Sequence, residues 1–317
     1  MQSSVNFNRK FQIVLFKAQD DGIIVPDAEP VVTDPSKMTF SYSVAPFAFN
    51  VCTFSFFNLD PFVIGEMSNG TKRGIILKCV YEGGGLQEAE PIYEEFFKGL
   101  IFKTNTYRAG ADIITEVASY DTLFSLVTPK VKLTFPKNTL SSSVLDKVLA
   151  AYKLSTKVQG KQYLTKVYTA PLTLVNQHID NILKTLASDN SCYLFVTGEE
   201  IIFYPNQDSD KPQLPTGAPV IVSTKNGLVG NIRAESLSLQ MLPIDYFAKK
   251  DLTKNMPVIT VTILLRKVKL FSSVKLIDPE NDTYRKLDWQ ILSVAYTGDS
   301  RTAQWYTTMK LVPRKPK

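Results

Sequence analysis

The chain is poor in the residues that carry chemistry. Its 317 residues include one histidine, His178, and three cysteines, Cys52, Cys79 and Cys192, set far apart. A Ser–His–Asp or Cys–His device would have to use His178, whose neighbours Gln177 and Asp180 offer no catalytic signature. One histidine without clustered cysteines excludes an ordinary zinc site. Three scattered cysteines make no disulfide framework, and they read as small core residues in a reducing compartment. A signal-peptide-like apolar run is also missing between Met1 and Lys10. Met38 to Leu59 lacks charge altogether and has the length of a bilayer span. Its side chains nevertheless alternate (Phe40, Tyr42, Val44, then Phe47, Phe49, Val51) around Pro46, which is the period of paired strands and not of a membrane helix.

The remaining chemical candidates are weak. Asp20-Asp21, Glu94-Glu95 and Glu199-Glu200 are neighbours in sequence, and neighbours on a strand point to opposite faces instead of converging on a bond. Asp208-Ser209-Asp210 lacks the glycine and terminal glutamate of a calcium loop. Gly83-Gly84-Gly85 lacks the Lys-Ser/Thr of a phosphate loop and the spacing of a dinucleotide fingerprint. No catalytic, cofactor-binding or metal residue is therefore assigned, no cofactor is expected, and the chain is expected not to be an enzyme.

What is present is β-forming. Phe (19) and Tyr (14) are abundant, apolar residues make up 44% and charged residues 21%, as in a globular protein with a substantial core. The net charge of +6 is spread thinly, which argues against a dedicated nucleic-acid surface, and the basic tail Pro313 to Lys317 reads as frayed. Trp289 and Trp305 read as core residues of a late β-unit in preference to exposed partner anchors.

One pattern recurs in outline. Leu100 to Val117 is a strand, a polar turn with Arg108 and Gly110, and a second strand; Ile291 to Met309 repeats this with Gly298 and Arg301. The predicted fold class is mainly β with a small α+β insertion, two tube-like β-barrel domains flanking a helix-hairpin module. The expected division is 1–128, 129–217 and 218–317. The first part has strands over 11–16, 38–57, 75–81 and 97–119, with loops through 19–37 and 83–95 and a connection starting at Asn58-Leu59-Asp60-Pro61. In the middle part, Ser143 to Asp146 resembles a capping box opening a helix. A second helix is predicted over Leu172 to Ala187, and Cys192 to Val196 with Ile201 to Tyr204 form a hairpin around Thr197 to Glu200. Its core is expected around Leu145, Leu149, Ile182 and Leu186. A linker over 205–218 leads to strands at Val220 to Val222, Ser236 to Gln240 and Ile259 to Leu265.

The order of parts resembles the baseplate hub proteins of contractile-tailed bacteriophages, related to hub segments of type VI secretion spikes. The likeness rests first on Asn58-Leu59, Gly74 to Tyr81, Phe97 to Ile101, Arg108 and Asp112 to Ile114. It continues through Leu145 to Leu149, Leu183 to Ala187 and the following hairpin. It ends on Lys275 to Pro279, Trp289 to Val294, Gly298-Asp299 and Trp305 to Thr308. The resemblance implies a structural virion protein: a homotrimeric hub whose two tube-like domains per chain form a ring of six. Such a ring adapts the sixfold tail tube protein to the threefold central spike protein, around a channel for the tape-measure protein and DNA. It also implies contacts with other baseplate proteins, no specific nucleic-acid recognition and no membrane insertion. The location implied is the virion tail baseplate, assembled in the host cytoplasm. The chain is short for the family, so an accessory domain of larger hubs is expected to be missing, and no appended lysozyme or peptidase segment is seen. Two rival readings are a carboxylate-based polysaccharide hydrolase using Glu88 to Glu95, and a single-stranded nucleic-acid binder stacking bases on the Phe/Tyr-rich strands.

Overall fold

The structure is a computed structural model, and it describes residues 8–17, 31–33, 35, 37–45, 50–68, 73–82, 94–121, 130–152, 156–196, 200–205, 219–235, 258–277, 288–302 and 304–313. The described residues fall into two compact units. The first draws on Met1–Tyr42, Asn50–Ser125 and Thr297–Trp305, the second on Ser43–Phe49, Leu126–Tyr296 and Tyr306–Lys317.

The first unit is built from β1 (Asn8–Lys17), β2 (Val31–Thr33), β3 (Met38–Val44), β4 (Val51–Phe57), the helix α1 (Pro61–Ser68), β5 (Arg73–Glu82), β6 (Glu94–Ala109) and β7 (Asp112–Asp121). Their order in the sheet is β3-β4-β7-β6-β5-β1-β2. The uncharged stretch that could pass for a membrane span is the antiparallel pair β3–β4, with Phe40 opposite Phe54 and Tyr42 opposite Cys52. Phe40, Tyr42, Cys52, Phe54 and Phe56 all point to one buried face, as period-two alternation requires. Tyr42 and Phe54 meet the Phe97 ring edge-on at 4.9 and 5.9 Å. Among the described residues the strand path does not close into a barrel. It runs from β3 to β2 without a ladder between them, and Pro35, which has no N–H to donate, lies on the link.

The second unit holds β8 (Lys130–Phe135), β9 (Thr139–Leu140), α2 (Ser141–Ala151), β10 (Lys157–Gln159), β11 (Val167–Tyr168), β12 (Leu172–His178), α3 (Ile179–Asp189), β13 (Cys192–Val196) and β14 (Glu200–Pro205). It continues with β15 (Val220–Val222), β16 (Arg233–Glu235), β17 (Val258–Leu264), β18 (Ser273–Leu276), β19 (Trp289–Asp299) and β20 (Trp305–Pro313). Leu145, Leu149, Ile182 and Leu186 are buried on α2 and α3. The β13–β14 hairpin forms with Phe195 opposite Ile202. Phe271 stacks flat on Tyr204 at 4.3 Å and meets Phe195 edge-on at 4.5 Å, so the hairpin and the C-terminal strands share aromatic contacts within this unit.

Several elements differ from expectation: Val31–Thr33 is a strand within the expected loop over 19–37, and Glu94-Glu95 open β6 within the expected loop over 83–95. Leu172–His178 is a strand and only Ile179–Asp189 is helical, where one helix was expected over Leu172 to Ala187. Pairing with β8 places Leu174 opposite Leu133, and Asn176 at φ 52° with a bulge between Val175 and Gln177 is incompatible with a right-handed helix. α2 starts at Ser141, before the expected capping box, and its N-cap is Leu140 without a side-chain cap. The Ser141 hydroxyl donates to Lys166 O at 2.7 Å instead. The connection expected after Asn58 contains α1, opened by Asp60, whose Oδ1 accepts from Phe62 N at 2.7 Å. The strand expected over Ser236 to Gln240, the linker 206–218, the loops 19–30 and 83–93, and the tail 314–317 lie outside the described residues.

The strongest regularity is internal. With β2 set aside, the first unit reads β3-β4-β7-β6-β5-β1, and the second unit's C-terminal strands read β16-β17-β20-β19-β18-β15. Ranked by position in sequence, the two series coincide strand for strand. One direction differs: β1 runs antiparallel to β5, whereas β15 runs parallel to β18. The match extends to single hydrogen bonds. Phe57 N donates to Lys37 O at 3.1 Å and Leu264 N to Gly227 O at 2.9 Å. Met38 sits opposite Phe56 and Leu228 opposite Ile263. The strand-turn-strand segments noted in sequence are β6–β7 and β19–β20, at the same place in each series.

Candidate functional site

Among the described residues, none of the catalytic candidates converges with another. His178 is half-buried at the junction of β12 and α3, at the helix boundary and not inside a helix as expected. Glu94 and Glu95 begin β6, opposite Cys79 and Lys78 of β5. Glu200 opens β14 and is engaged by Gln159 and by Lys157 Nζ at 3.9 Å. Asp20, Asp21, Gly83 to Gly85, Glu199 and Asp208 to Asp210 lie outside the described residues. Among the described residues, no group of three His, Cys, Asp or Glu side chains could hold a metal ion, and no helix is long and apolar enough to cross a membrane. All three cysteines are buried. Burial pushes the Cys52 and Cys79 thiols well above their ordinary range, Cys52 further through Cys79 and Cys79 through Glu94, which keeps them protonated and unreactive. Trp289 and Trp305 are fully buried, and Trp305 stacks on Phe11 at 4.5 Å.

The surfaces are more informative. Opposite the buried faces of the two strand series stand two similar polar faces. In the first unit this face carries Thr39 and Ser41 of β3, Thr53 and Ser55 of β4, and Ala118 of β7. In the second it carries Thr262 of β17, Thr308 of β20, and Ser293 and Ala295 of β19, while the Thr260 hydroxyl oxygen on β17 is buried. Thr262 and Thr308 hydroxyls share a hydrogen bond of 3.2 Å. Hydroxyl side chains of this kind both donate hydrogen bonds to water and accept them from it.

The second feature is the β6–β7 hairpin. Beyond Leu100 the strand β6 is mostly exposed, including Phe102 and Tyr107 at 44% and 41%. Phe102 is an extra residue between the Ile101–Ser119 and Lys103–Ala118 pairs, a β-bulge, and its ring stacks on Tyr120 at 4.0 Å. The turn, Gly110-Ala111, uses a positive φ of 63° at Gly110, as tight hairpins require. The tip is clamped at its base. Asn58, itself at φ 53°, donates from Nδ2 to Asp112 Oδ1 at 2.8 Å and accepts at Oδ1 from Ile113 N at 2.8 Å. Lys37 Nζ lies 3.5 Å from Asp112 Oδ2 and 3.8 Å over the Phe57 ring. The Asn58 hydrogen bond, with the charges of Lys37 and Arg301, holds the Asp112 carboxyl below the ordinary carboxylate range. Tyr107 donates to Glu116 Oε1 at 3.0 Å, and that bond raises its phenol above the usual value.

This architecture has counterparts among solved structures. The 43 kDa tail protein of prophage MuSo2 from Shewanella oneidensis superposes with a TM-score of 0.57 at 12% identity, over 95% of this chain and 97% of that one. The fold is that of tail and spike-hub proteins. A tail protein from Neisseria meningitidis MC58 gives 0.57 at 10% identity, over 96% of this chain and 97% of that one. The E. coli c3393 protein, a component of the type VI secretion system with structural similarity to T4 bacteriophage tail proteins gp27 and gp5, gives 0.54 at 12% identity, over 88% of this chain and 74% of that one. By sequence the chain matches no protein-family model and no curated protein. The hub resemblance carried by Asn58-Leu59, the β5–β7 region and the Trp289 to Thr308 region agrees with this fold.

Proposed function

We propose that the chain is a structural tail protein of a virion, acting as a trimeric baseplate hub. The observation that carries this reading is the coincidence of strand order between the two series. A chain holding two copies of one unit gives six similar units when three chains close a ring, while the ring keeps true threefold symmetry. A hexameric tail tube can mate with the six units, and a trimeric central spike with the threefold. The two hydroxyl-rich faces line the channel, through which the tape-measure protein and DNA pass. The three working parts are 1–128, 129–217 and 218–317, the middle one presenting α2, α3 and the β13–β14 hairpin to spike or other baseplate proteins. The role is mechanical and not catalytic, and assembly takes place in the host cytoplasm before incorporation into the tail.

The test is the mass of the purified chain in solution. Light scattering across a range of protein concentrations and salt is expected to give three copies per particle. A chain that stays monomeric at the highest concentration would remove the ring. Tight, steeply salt-dependent binding of single-stranded DNA would favour the nucleic-acid rival, and cleavage of a polysaccharide lost on Glu94→Gln would favour the hydrolase.

A further inference from the structure

The connection between β17 and β18, residues 265–272, is held down by two buried hydroxyl side chains. Thr307 of β20 is fully buried; its Oγ1 accepts from Arg266 N at 2.9 Å and donates to Arg266 O at 2.9 Å. The Tyr296 hydroxyl of β19 accepts from Val268 N at 3.2 Å and donates to Val268 O at 3.1 Å. Each hydroxyl thereby does for one residue what a neighbouring strand would do, satisfying both its N–H and its C=O. The connection is fixed at residues 266 and 268 without being a strand itself.

What this anchoring presents is charge of one sign. Arg266, Lys267 and Lys269 are exposed, and Val268 between them is half-buried. The whole stretch 258–277 carries four cations and no carboxylate. Like charges this close repel one another, so holding them together works against folding. The shared strand order does not call for them either. The equivalent connection of the first unit, between β4 and β5, contains α1, whose Glu66 pairs with Arg73. A tethered backbone under a cluster of cations is a preorganised surface, with part of its ordering complete before a partner arrives.

We propose that residues 266–269 bind an extended acidic segment of a partner protein. Lys267 and Lys269 stand two residues apart, about 6.6 Å in an extended chain. Carboxylates on alternate residues of an extended partner repeat at the same interval. Arg266 adds a planar fork for a further carboxylate. Three cations on one short connection are few for a nucleic-acid groove, which tracks a phosphate backbone through many contacts. They suffice to set the register of one acidic segment. The site lies within the second unit and does not depend on how many chains the particle holds.

Fluorescence anisotropy of the full chain at low salt tests this, with a labelled peptide of alternating Glu and Thr as the probe. The parent is expected to bind it. The variant Arg266→Gln/Lys267→Gln/Lys269→Gln is expected to bind about tenfold more weakly, the scale of three exposed ion pairs. The same loss of charge in the tail, Arg314→Gln/Lys315→Gln/Lys317→Gln, is expected to leave the affinity unchanged. Thr307→Val keeps every charge but unties Arg266, and Tyr296→Phe does the same at Val268; both are expected to weaken binding. A parent that ignores the peptide, a 266–269 variant that binds like the parent, or a tail variant that loses as much would each overturn the proposal. So would a single-stranded oligothymidylate held as tightly as the peptide. Clamp variants that melt cooperatively yet bind like the parent would overturn the preorganised site. Light scattering on the same samples separates this from the ring: a monomeric chain that binds the peptide removes the ring and leaves the site.

Discussion

At the scale of single residues, the two strand-turn-strand segments depend on positions where only glycine or a left-handed residue fits. Gly298→Ala places a methyl into the Phe40 ring, and overpacking of this kind costs about 1–3 kcal/mol. A urea midpoint for Gly298→Ala equal to that of the parent would contradict the close approach of this segment to β3. The Asn58–Asp112 clamp makes a pH prediction. The Asp112 carboxyl is held below its unfolded value, so its contribution is fully present above the unfolded pKa, near 3.9, and is lost as pH falls through the folded value. The stability difference between parent and Asp112→Asn is expected to be constant above about pH 5 and to vanish in stronger acid. A difference that grows on acidification would show the sign to be wrong. Neither feature was visible in sequence: Asn58 and Asp112 are distant in the chain, and only the β4–β7 register brings them together. The burial of Trp289 and Trp305 was legible, because alternating apolar runs surround both.

At the scale of elements, alternation carried most of the reading. β3–β4, β6–β7, β13–β14 and β17 stand where their period-two patterns lie. Two failures have physical causes. Leu172 to His178 fits both a helical and an extended template, and the ladder to β8 together with Asn176 decides for the strand, an outcome set by tertiary contacts. α1 carried a readable signal, since Asp60-Pro61 is an N-cap followed by proline at the first helical position. Its short length let it pass as a connection. The α3 helix supports the second unit through Ile179, Ile182, Leu183 and Leu186, all buried. Leu183→Ala leaves a cavity where the side chain is 0% exposed, and a loss of about 2–5 kcal/mol is expected in denaturant unfolding. A loss below about 0.5 kcal/mol, typical of surface positions, would contradict the placement of Leu183 in a packed core.

At the scale of the whole molecule, the informative fact is repetition without sequence identity. Low identity concealed most of the duplication, and only the strand-turn-strand outline and the Arg/Gly turns showed in sequence. The remaining strands of each series are short or interrupted by long connections, and their equivalence emerges from hydrogen-bonded order alone. The hydroxyl-rich faces were equally hidden, because Thr39, Ser41, Thr53 and Ser55 look like ordinary exposed strand positions until the sheet places them together. The ring adaptor proposed above rests on the repeated strand order and the hydroxyl-bearing faces of the two series. Its central claim is symmetry, and electron microscopy of the purified oligomer viewed end-on tests it most directly. Class averages are expected to show three chains as six similar densities around an open centre, with threefold symmetry and an approximate sixfold. Averages showing a twofold particle, or a threefold one with no central opening, would contradict the account.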